Sequence, residues 1–265
     1  MIEMIQGTTT FDLSHPLDPA MPVSPNHPGF RLALLRRHGD MVRADGGSAS
    51  NEMIVLGGHT GTHLDGLAHV SHDGRLHGGI DAYQAQVGGR FSKLGMETVA
   101  PFVGRGVVLD VARAGAIDVL PGATAVTAQD LERAEAAQGI DANNAIAILV
   151  RTGWAANWCD PSVYLGHDTG VPGVDISGAR WLAERRPRVV GSDTMAFEQI
   201  LPERGHALLP VHGALLVEHG IHIIENLDLD ALAASSVREF LFVCLPLKFA
   251  GATGSPVRPI AVARV

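Results

Sequence analysis

The sequence has few cysteines, few aromatic residues and no long apolar run. Its two cysteines, Cys159 and Cys244, lie far apart and form no Cys-x-x-Cys pair, so reduced, buried thiols are expected instead of a disulfide framework. No apolar run approaches the roughly 18 residues of a membrane span. Residues 1–6 lack the basic start and the apolar core of a signal peptide. We therefore expect a cytoplasmic protein with no membrane partner.

Positive charge is also scarce. The 265 residues include 20 Lys and Arg against 28 Asp and Glu, which gives a formal net charge of −8. The densest basic cluster, residues 185–188, falls at the predicted end of a helix, where cations meet the last free carbonyl groups. Because nonspecific binding to nucleic acid depends on clustered Lys and Arg, no nucleic-acid partner is expected.

Segments that predict strands alternate with segments that predict helices. The predicted strands are a short one from residue 11, a strand that begins at residues 189–190, and residues 32–37, 52–56, 107–111, 145–151, 221–225, 239–247 and 260–265. The predicted helices are residues 127–138, with Thr127 as N-cap and Gly139 as terminator, 177–186, 212–219 and 228–236. Residues 251–256 are interpreted as a hairpin loop. This alternation indicates an α/β or mixed α+β domain, and we expect residues 1–265 to form one domain.

Histidine is abundant, with 13 residues, and four ligand-type side chains lie in one short segment: His59, His63, Asp65 and His69. On one ideal helix these four split into two pairs that point well apart. An extended strand would separate His59 from His63 by roughly 13 Å, whereas a shared ion needs ligand atoms about 2.0–2.2 Å away. The segment must therefore bend, and four glycines permit the bend: Gly57, Gly58, Gly61 and Gly66.

The chemistry of these side chains also indicates a metal site. Imidazole and carboxylate together suit Zn(II), Mn(II) or Fe(II), and Asp65 can bridge two ions. A bound divalent ion lowers the pKa of water toward about 7 and polarises a carbonyl group. His69 need not be a ligand, and its ordinary pKa near neutrality makes it the candidate proton shuttle.

A second candidate segment runs from His212 to Glu225. If the helix that begins at His212 and the strand that ends at Glu225 pack antiparallel, their outer ends meet and can add an imidazole and a carboxylate to the same site. Glu218, His219 and His222 compete for these roles. The residues alone leave that choice open.

The segment His59-Thr-Gly-Thr-His63-Leu-Asp65-Gly-Leu-Ala-His69 resembles the HxGTHxDxxxH motif of the putative cyclase family, which includes bacterial kynurenine formamidase and isatin hydrolase. Supporting landmarks spread the resemblance over nearly the whole chain: residues 12–17, 21–22, 150–154, 191–193, 212–227, 245–247 and 254–258. The resemblance implies a swivelling β/β/α fold, with a mixed, barrel-like sheet flanked by helices, in a homodimer or homotetramer.

The resemblance also assigns roles to the candidate residues. It implies one or two divalent ions, Zn or Mn, held by five residues: His59, His63, Asp65, His212 and Glu225. His69 becomes the general acid and base. Two departures bear on the substrate. Formamidase and isatin hydrolase members carry Asp-Ala-Pro-x-His where this chain has Asp65-Gly-Leu-Ala-His69, and Ser24 stands where formamidases place an aromatic residue. An aryl formamide is therefore less expected.

Several classes of function compete for this site. We expect metal-dependent hydrolysis of a C–N or C–O acyl bond in a small amide, lactam or lactone, with His69 relaying the proton. The alternative enzyme is a metal-dependent dehydratase or cyclase that adds no net water. A structural metal site usually closes its coordination with four protein ligands, often cysteines, and no cysteine lies near this motif. The chain has no Gly-x-Ser-x-Gly elbow of a serine hydrolase. For Asp193 and Arg151, structural hydrogen bonding is favoured over a place in the pocket.

Overall fold

A computed structural model describes residues 7–202 and 204–264. Residues 1–6, which were expected not to form a signal peptide, and Val265, the predicted end of the last strand, lie outside the described residues. The strands are β1 (Thr9–Asp12), β2 (Arg31–Arg36), β3 (Asn51–Val55), β4 (His63–Asp65), β5 (Gln86–Val87), β6 (Arg90–Phe91), β7 (Phe102–Asp110), β8 (Ala125–Val126), β9 (Ala147–Arg151), β10 (Gly173–Val174), β11 (Val189–Ser192), β12 (His222–Glu225), β13 (Glu239–Cys244), β14 (Gly254–Pro256) and β15 (Ile260–Ala263).

Helices and helical turns connect these strands. The α-helices are α1 (Ala82–Ala85), α2 (Val111–Ala114), α3 (Ala128–Gln138), α4 (Pro161–Tyr164), α5 (Ile176–Glu184), α6 (Pro210–His212) and α7 (Asp230–Ala234). In the part of the chain that the structure describes, 3₁₀ turns occur at His77–Gly79, Met96–Thr98 and Trp154–Asn157, and a π-helix spans Gly213–His219. Within the described residues, no helix has the length and apolar character needed to cross a bilayer.

A mixed, curled sheet of 9 strands organises the fold, in the order β1-β15-β13-β7-β9-β11-β12-β4-β14. The central strands β7, β9, β11 and β12 run parallel to one another. The strands on either side join by antiparallel pairing. The predicted α/β class with a mixed, barrel-like sheet and flanking helices is confirmed.

The central strands are apolar because they are buried on both faces. In β9, Ile148 and Val150 pack in the same core cluster as Leu131 of α3, whereas Leu149 packs with Phe242 of β13 on the other face. Side chains alternate between the two faces of a strand, so a continuous apolar run fills two core regions at once. The sheet is thereby fixed between two packed layers.

Helix α3 has the ends that its sequence predicts. The Thr127 hydroxyl accepts a hydrogen bond from the Asp130 N–H, and the Asp130 carboxylate accepts one from the Thr127 N–H. This reciprocal capping box satisfies two free donors at the start of the helix. Gly139 ends it in the left-handed conformation, with φ of 64°.

Two sequence predictions near the site need correction. The predicted helix at residues 212–219 is instead the end of α6 followed by the π-helix, which Gly220 ends at φ of 67°. Residues 251–256, predicted as a hairpin loop, contain β14, which pairs with β4 at the sheet edge. A strand of three residues has too few positions to show an alternating pattern. Pro256 lacks an N–H group, which suits it to an edge.

The cysteine prediction is correct for one residue of the two. Both thiols are free, and Cys244 is buried in β13. Cys159 is exposed, because it lies in the turn between the 3₁₀ turn Trp154–Asn157 and α4. The expectation that both thiols are buried is therefore wrong for Cys159.

Strands β2 and β3 form a hairpin of their own, apart from the main sheet. We call residues 31–55 the hairpin arm. Every residue of its two strands is exposed. Its two ends lead directly into segments that line the cavity described next.

Candidate metal centre

The short strand β4 presents two ligand-type side chains on one face. His63 and Asp65 lie two residues apart and so point the same way, while Leu64 between them packs into the core and is fully buried. The preceding chain bends at Gly61, whose φ is 63°. The predicted bend is therefore present. It leads into a strand that anchors His63 and Asp65 against the sheet.

His59 and His69 flank this strand and stack on each other. Their ring centroids lie 3.9 Å apart. His69 is in a turn closed by its N–H, which donates to the Gly66 carbonyl at 3.0 Å. A Cβ at Gly66 would lie 2.8 Å from Met96 Sδ and 2.9 Å from the Thr253 carbonyl oxygen. Only glycine fits this close approach without displacing its neighbours.

His212 and Glu225 complete the cluster. Glu225 lies opposite His63 in the antiparallel pairing of β12 with β4. His212, the last residue of α6, places its Nε2 atom 3.2 Å from Glu225 Oε1 and 3.5 Å from Asp65 Oδ2. The helix end and the strand end thus meet, which is the arrangement that antiparallel packing of the two segments predicted.

Hydrogen bonds on the outer side of the rings determine which nitrogen faces the centre. His63 Nδ1 donates to the Gly61 carbonyl at 2.8 Å, which leaves the Nε2 lone pair 3.5 Å from Asp65 Oδ1 and 3.4 Å from Glu225 Oε2. His212 Nδ1 donates to Glu198 Oε1 at 2.5 Å, so its Nε2 atom also points inward. These tautomers follow from the hydrogen-bond partners.

The centre therefore holds more hydrogen-bond acceptors than donors, the one close donor being His59 Nδ1, 2.7 Å from Asp65 Oδ1. Asp65 is 1% exposed, and its Oδ2 atom is buried with no hydrogen-bond partner. Imidazole lone pairs and carboxylate oxygens in such contact need a proton or a cation between them, because a buried unpaired acceptor is costly. Their nitrogen and oxygen donor atoms suit a divalent metal ion.

Two overlapping sets of atoms could hold an ion. Atoms of His59, Asp65 and His69 lie within 4.8 Å of one another, and so do atoms of His63, Asp65 and Glu225. Asp65 belongs to both sets. The residues thus offer a candidate metal site centred on this carboxylate.

Burial and charge shift the pKa values of the cluster in opposite directions. Burial lowers the pKa of His63 to about 4 and that of His69 to about 3. Burial, together with the charge of Asp65, raises the pKa of Glu225 to about 7. Although burial opposes it, hydrogen bonding to the surrounding carboxylates raises the pKa of His212 well above its ordinary value. Without a cation, the cluster therefore retains protons near neutral pH.

Two residues at the centre, Glu198 and Thr253, were not predicted from the sequence. Glu198 is 2% exposed and accepts hydrogen bonds from the ring and the backbone N–H of His212. Thr253 places its hydroxyl 3.0 Å from His59 Nε2, while His59 Nδ1 lies 2.7 Å from Asp65 Oδ1. Glu198 follows Gly191-Ser-Asp193, and Thr253 precedes Gly254-Ser-Pro. Both therefore adjoin landmarks of the resemblance, the one signal that could have identified them.

Other candidate residues lie elsewhere. His222 Nδ1 donates to the Asp65 backbone carbonyl, and His77 Nδ1 donates to the Val217 carbonyl. Asp193 is fully buried and accepts hydrogen bonds from the backbone and hydroxyl of Thr152. These contacts are structural. Four further residues are absent from the cavity lining: Glu218, His219, His72 and Arg151.

A cavity of about 270 Å³ opens over the cluster. Its lining includes five of the predicted site residues: His59, His63, His69, His212 and Glu225. Asp65 lies beneath them. Ser24 lines the same cavity, at the position where the sequence departs from the aromatic residue of formamidases.

Comparison with known proteins gives consistent results. A sequence model of the family described as putative cyclase matches residues 11–199. The kynurenine formamidase of Bacillus cereus is 25% identical over 252 residues, which cover 94% of this chain and 95% of that one. A solved structure described as a novel cyclase is 30% identical with a TM-score of 0.87, covering 99% of this chain and 89% of that one. Isatin hydrolase A from Labrenzia aggregata is 23% identical with a TM-score of 0.73, covering 98% and 95%, and this likeness concerns the fold.

The raised pKa values of Glu225 and His212 predict that metal binding releases protons. An entering cation must displace the protons that these groups retain, so its affinity should fall as the pH is lowered from about 8 to about 6. Calorimetric titration of metal-free protein with Zn(II), in buffers of different ionisation enthalpy, should show release of about one proton or more near pH 6. The exposed His72→Ala variant should behave like the wild type. Binding without proton release near pH 6 would contradict this prediction.

Proposed function

The chain belongs to the putative cyclase family, and on that premise we propose that it is a metal-dependent hydrolase of a C–N or C–O acyl bond in a small amide, lactam or lactone. The observation that carries the proposal is the buried cluster of imidazole and carboxylate acceptors facing a cavity. The relation to kynurenine formamidase, which by its name acts on a formamide, supports hydrolysis of an acyl bond.

The proposed ligands are those expected from the sequence: His59, His63, Asp65, His212 and Glu225. Asp65 belongs to both overlapping sets of ligand atoms, one of which also includes His69, and this favours a site for one or two ions of Zn or Mn. When bound, such an ion polarises an acyl carbonyl and lowers the pKa of a water molecule. Glu198 and Gly61 hold His212 and His63 with their Nε2 atoms inward, since each accepts the Nδ1 hydrogen of its ring.

His69 is the proposed general acid and base. It lines the cavity, where its ring stacks on that of His59 with the centroids 3.9 Å apart. Burial lowers the pKa of His69 to about 3, which makes it a weak base in the metal-free cluster, but the ring is neutral near pH 7 and offers a lone pair to a proton of the attacking water. Returning that proton to the departing nitrogen or oxygen completes the reaction.

Substitution of His63 and His69 separates metal binding from proton transfer. His63→Ala should lose both bound metal and activity, measured by elemental analysis and by assays on lactams, lactones and formamides. His69→Gln should keep its metal but lose roughly 10²–10⁴-fold in kcat, the usual contribution of a general acid–base. Wild-type protein that takes up neither Zn nor Mn would refute the proposal. A product that has lost the elements of water would identify a dehydratase instead.

Glu198 is proposed as a positioning residue for His212. Glu198→Gln keeps an acceptor oxygen but removes the charge that the His212 ring contacts. Loss of such an orienting carboxylate typically weakens metal affinity by about 10–100-fold. Competition with a chelator should show this loss, while the melting temperature of the metal-free variant stays close to that of the wild type. A large drop in that melting temperature with unchanged metal affinity would instead assign Glu198 a purely structural role.

We also propose that the chain forms one domain and that the protein is cytoplasmic. We further propose that it assembles into a homodimer or homotetramer in which the hairpin arm forms the interface between subunits. Apolar side chains are exposed on the arm, including Leu34 at 52% and Ile54 at 50%. A two-stranded hairpin is at best marginally stable in water by itself, so a covering partner is expected. A second copy of this chain packed on the arm would bury the side chains of Leu34 and Ile54.

Substitution of the arm tests the assembly. Leu34→Asp combined with Ile54→Asp should lower the mass measured by light scattering to that of a monomer, because burying two carboxylates in an interface is unfavourable. Leu208→Asp, at another exposed leucine, is the control. A wild-type chain that is monomeric at micromolar concentration would overturn this part of the proposal.

A further inference from the structure

The cavity over the metal centre has a neighbouring cavity that shares part of its lining. A second, outer cavity of about 550 Å³ adjoins the inner one of about 270 Å³. Four residues line both cavities: Asn26, Leu165, Met195 and His206. These four side chains therefore stand between the inner and the outer cavity, and we call them the constriction.

The polar pair at this constriction carries no net charge. Asn26 Nδ2 lies 3.4 Å from His206 Nδ1 and, as an amide N–H, can only donate to it. A neutral His206 ring with Nδ1 as the acceptor is compatible with this contact. Burial lowers the pKa of His206 and supports the same state.

The lining of the outer cavity combines apolar side chains with imidazoles. Leu165, Met195, Ile200 and Leu201 line it together with His167 and His206, and its described lining includes no Lys, Arg, Asp or Glu. The described lining of the inner cavity includes no Lys or Arg either. A substrate with an anionic tail would therefore lose its hydration here without gaining a cationic partner.

Size points to an elongated ligand. The inner cavity of about 270 Å³ has room for a small acyl group, and the outer cavity of about 550 Å³ falls within the roughly 300–1,000 Å³ of pockets that enclose a drug-sized ligand. We propose that the substrate occupies both cavities, with its acyl carbonyl at the histidine cluster and an uncharged, apolar tail that passes His206 into the outer cavity. This inference rests on the proposed hydrolase function and names the substrate class as neutral acyl compounds with an apolar tail.

Binding of a homologous ligand series tests the tail directly. Straight-chain alkyl hydroxamates from two to ten carbons carry a metal-binding head of constant chemistry, and Kd for the metal-loaded protein is measured by calorimetry. Burial of each added methylene group should tighten binding by up to about fourfold. Binding should stop improving once the outer cavity is filled.

One substitution and its control locate the tail. Ala207 lines only the outer cavity, so Ala207→Trp should abolish most of the tightening with chain length. Ala136→Trp, on the exposed face of α3, should retain it. Equal tightening in Ala207→Trp and the wild type would place the tail elsewhere and overturn the inference.

The remaining outcomes concern charge and the underlying function. The monohydroxamate of suberic acid, which ends in a carboxylate, should bind more weakly than octanohydroxamate. Equal or tighter binding would overturn the neutral-tail assignment. A Kd independent of chain length, or no binding by any member, would overturn the inference. Turnover of γ-valerolactone and formamides is assayed separately. A flat series with active turnover would overturn the inference and leave the hydrolase proposal intact. A length-dependent series without turnover would refute the hydrolase proposal, and with it the assignment of the ligand as a substrate, and would leave only the binding mode across the two cavities.

Discussion

The contact between Asp65 and the imidazoles around it is the interaction on which the site depends. A carboxylate that is 1% exposed would be very unfavourable alone, because desolvation of a charge costs several kcal/mol or more. Here His59 contacts one carboxylate oxygen at 2.7 Å and His212 approaches the other at 3.5 Å. The surrounding imidazoles hold the pKa of Asp65 well below its ordinary value even though burial alone would raise it. The negative charge therefore persists at the centre.

The sheet provides the close approach that this charge requires. Strand β4 pairs with β12 on one side and with β14 on the other, so Asp65 lies opposite Ile223 and Gly254. A Cβ at Gly254 would lie 2.5 Å from His59 Cε1, which shows how closely the ring packs on the backbone of β14. Leu64 points into the core and fixes β4 in this register. The geometry of the ligands is thus a consequence of strand pairing.

The sequence revealed those parts of the site that lie close together in the chain. His59, His63, Asp65 and His69 were recognisable because their residue types and glycine-rich spacing suit a bent metal-binding segment. His212 and Glu225 could not be separated from Glu218, His219 and His222, because the choice depends on the register of β12 against β4. Glu198 lies 14 residues from His212 and is brought to it only by tertiary folding. The capping box of α3 was predictable because helix ends are specified locally.

The two parts of the pocket make opposite demands on a ligand. The floor is rich in acceptors and favours a cation, which in turn favours a carbonyl oxygen and a water molecule. The outer cavity offers apolar side chains beside two imidazoles and, among its described lining residues, no Lys, Arg, Asp or Glu, so it favours a tail without charge. A zwitterionic or anionic tail would have to be desolvated with no compensating ion pair among the described lining residues. The cluster therefore sets the reaction, whereas the composition of the walls sets which carbonyl compounds reach it.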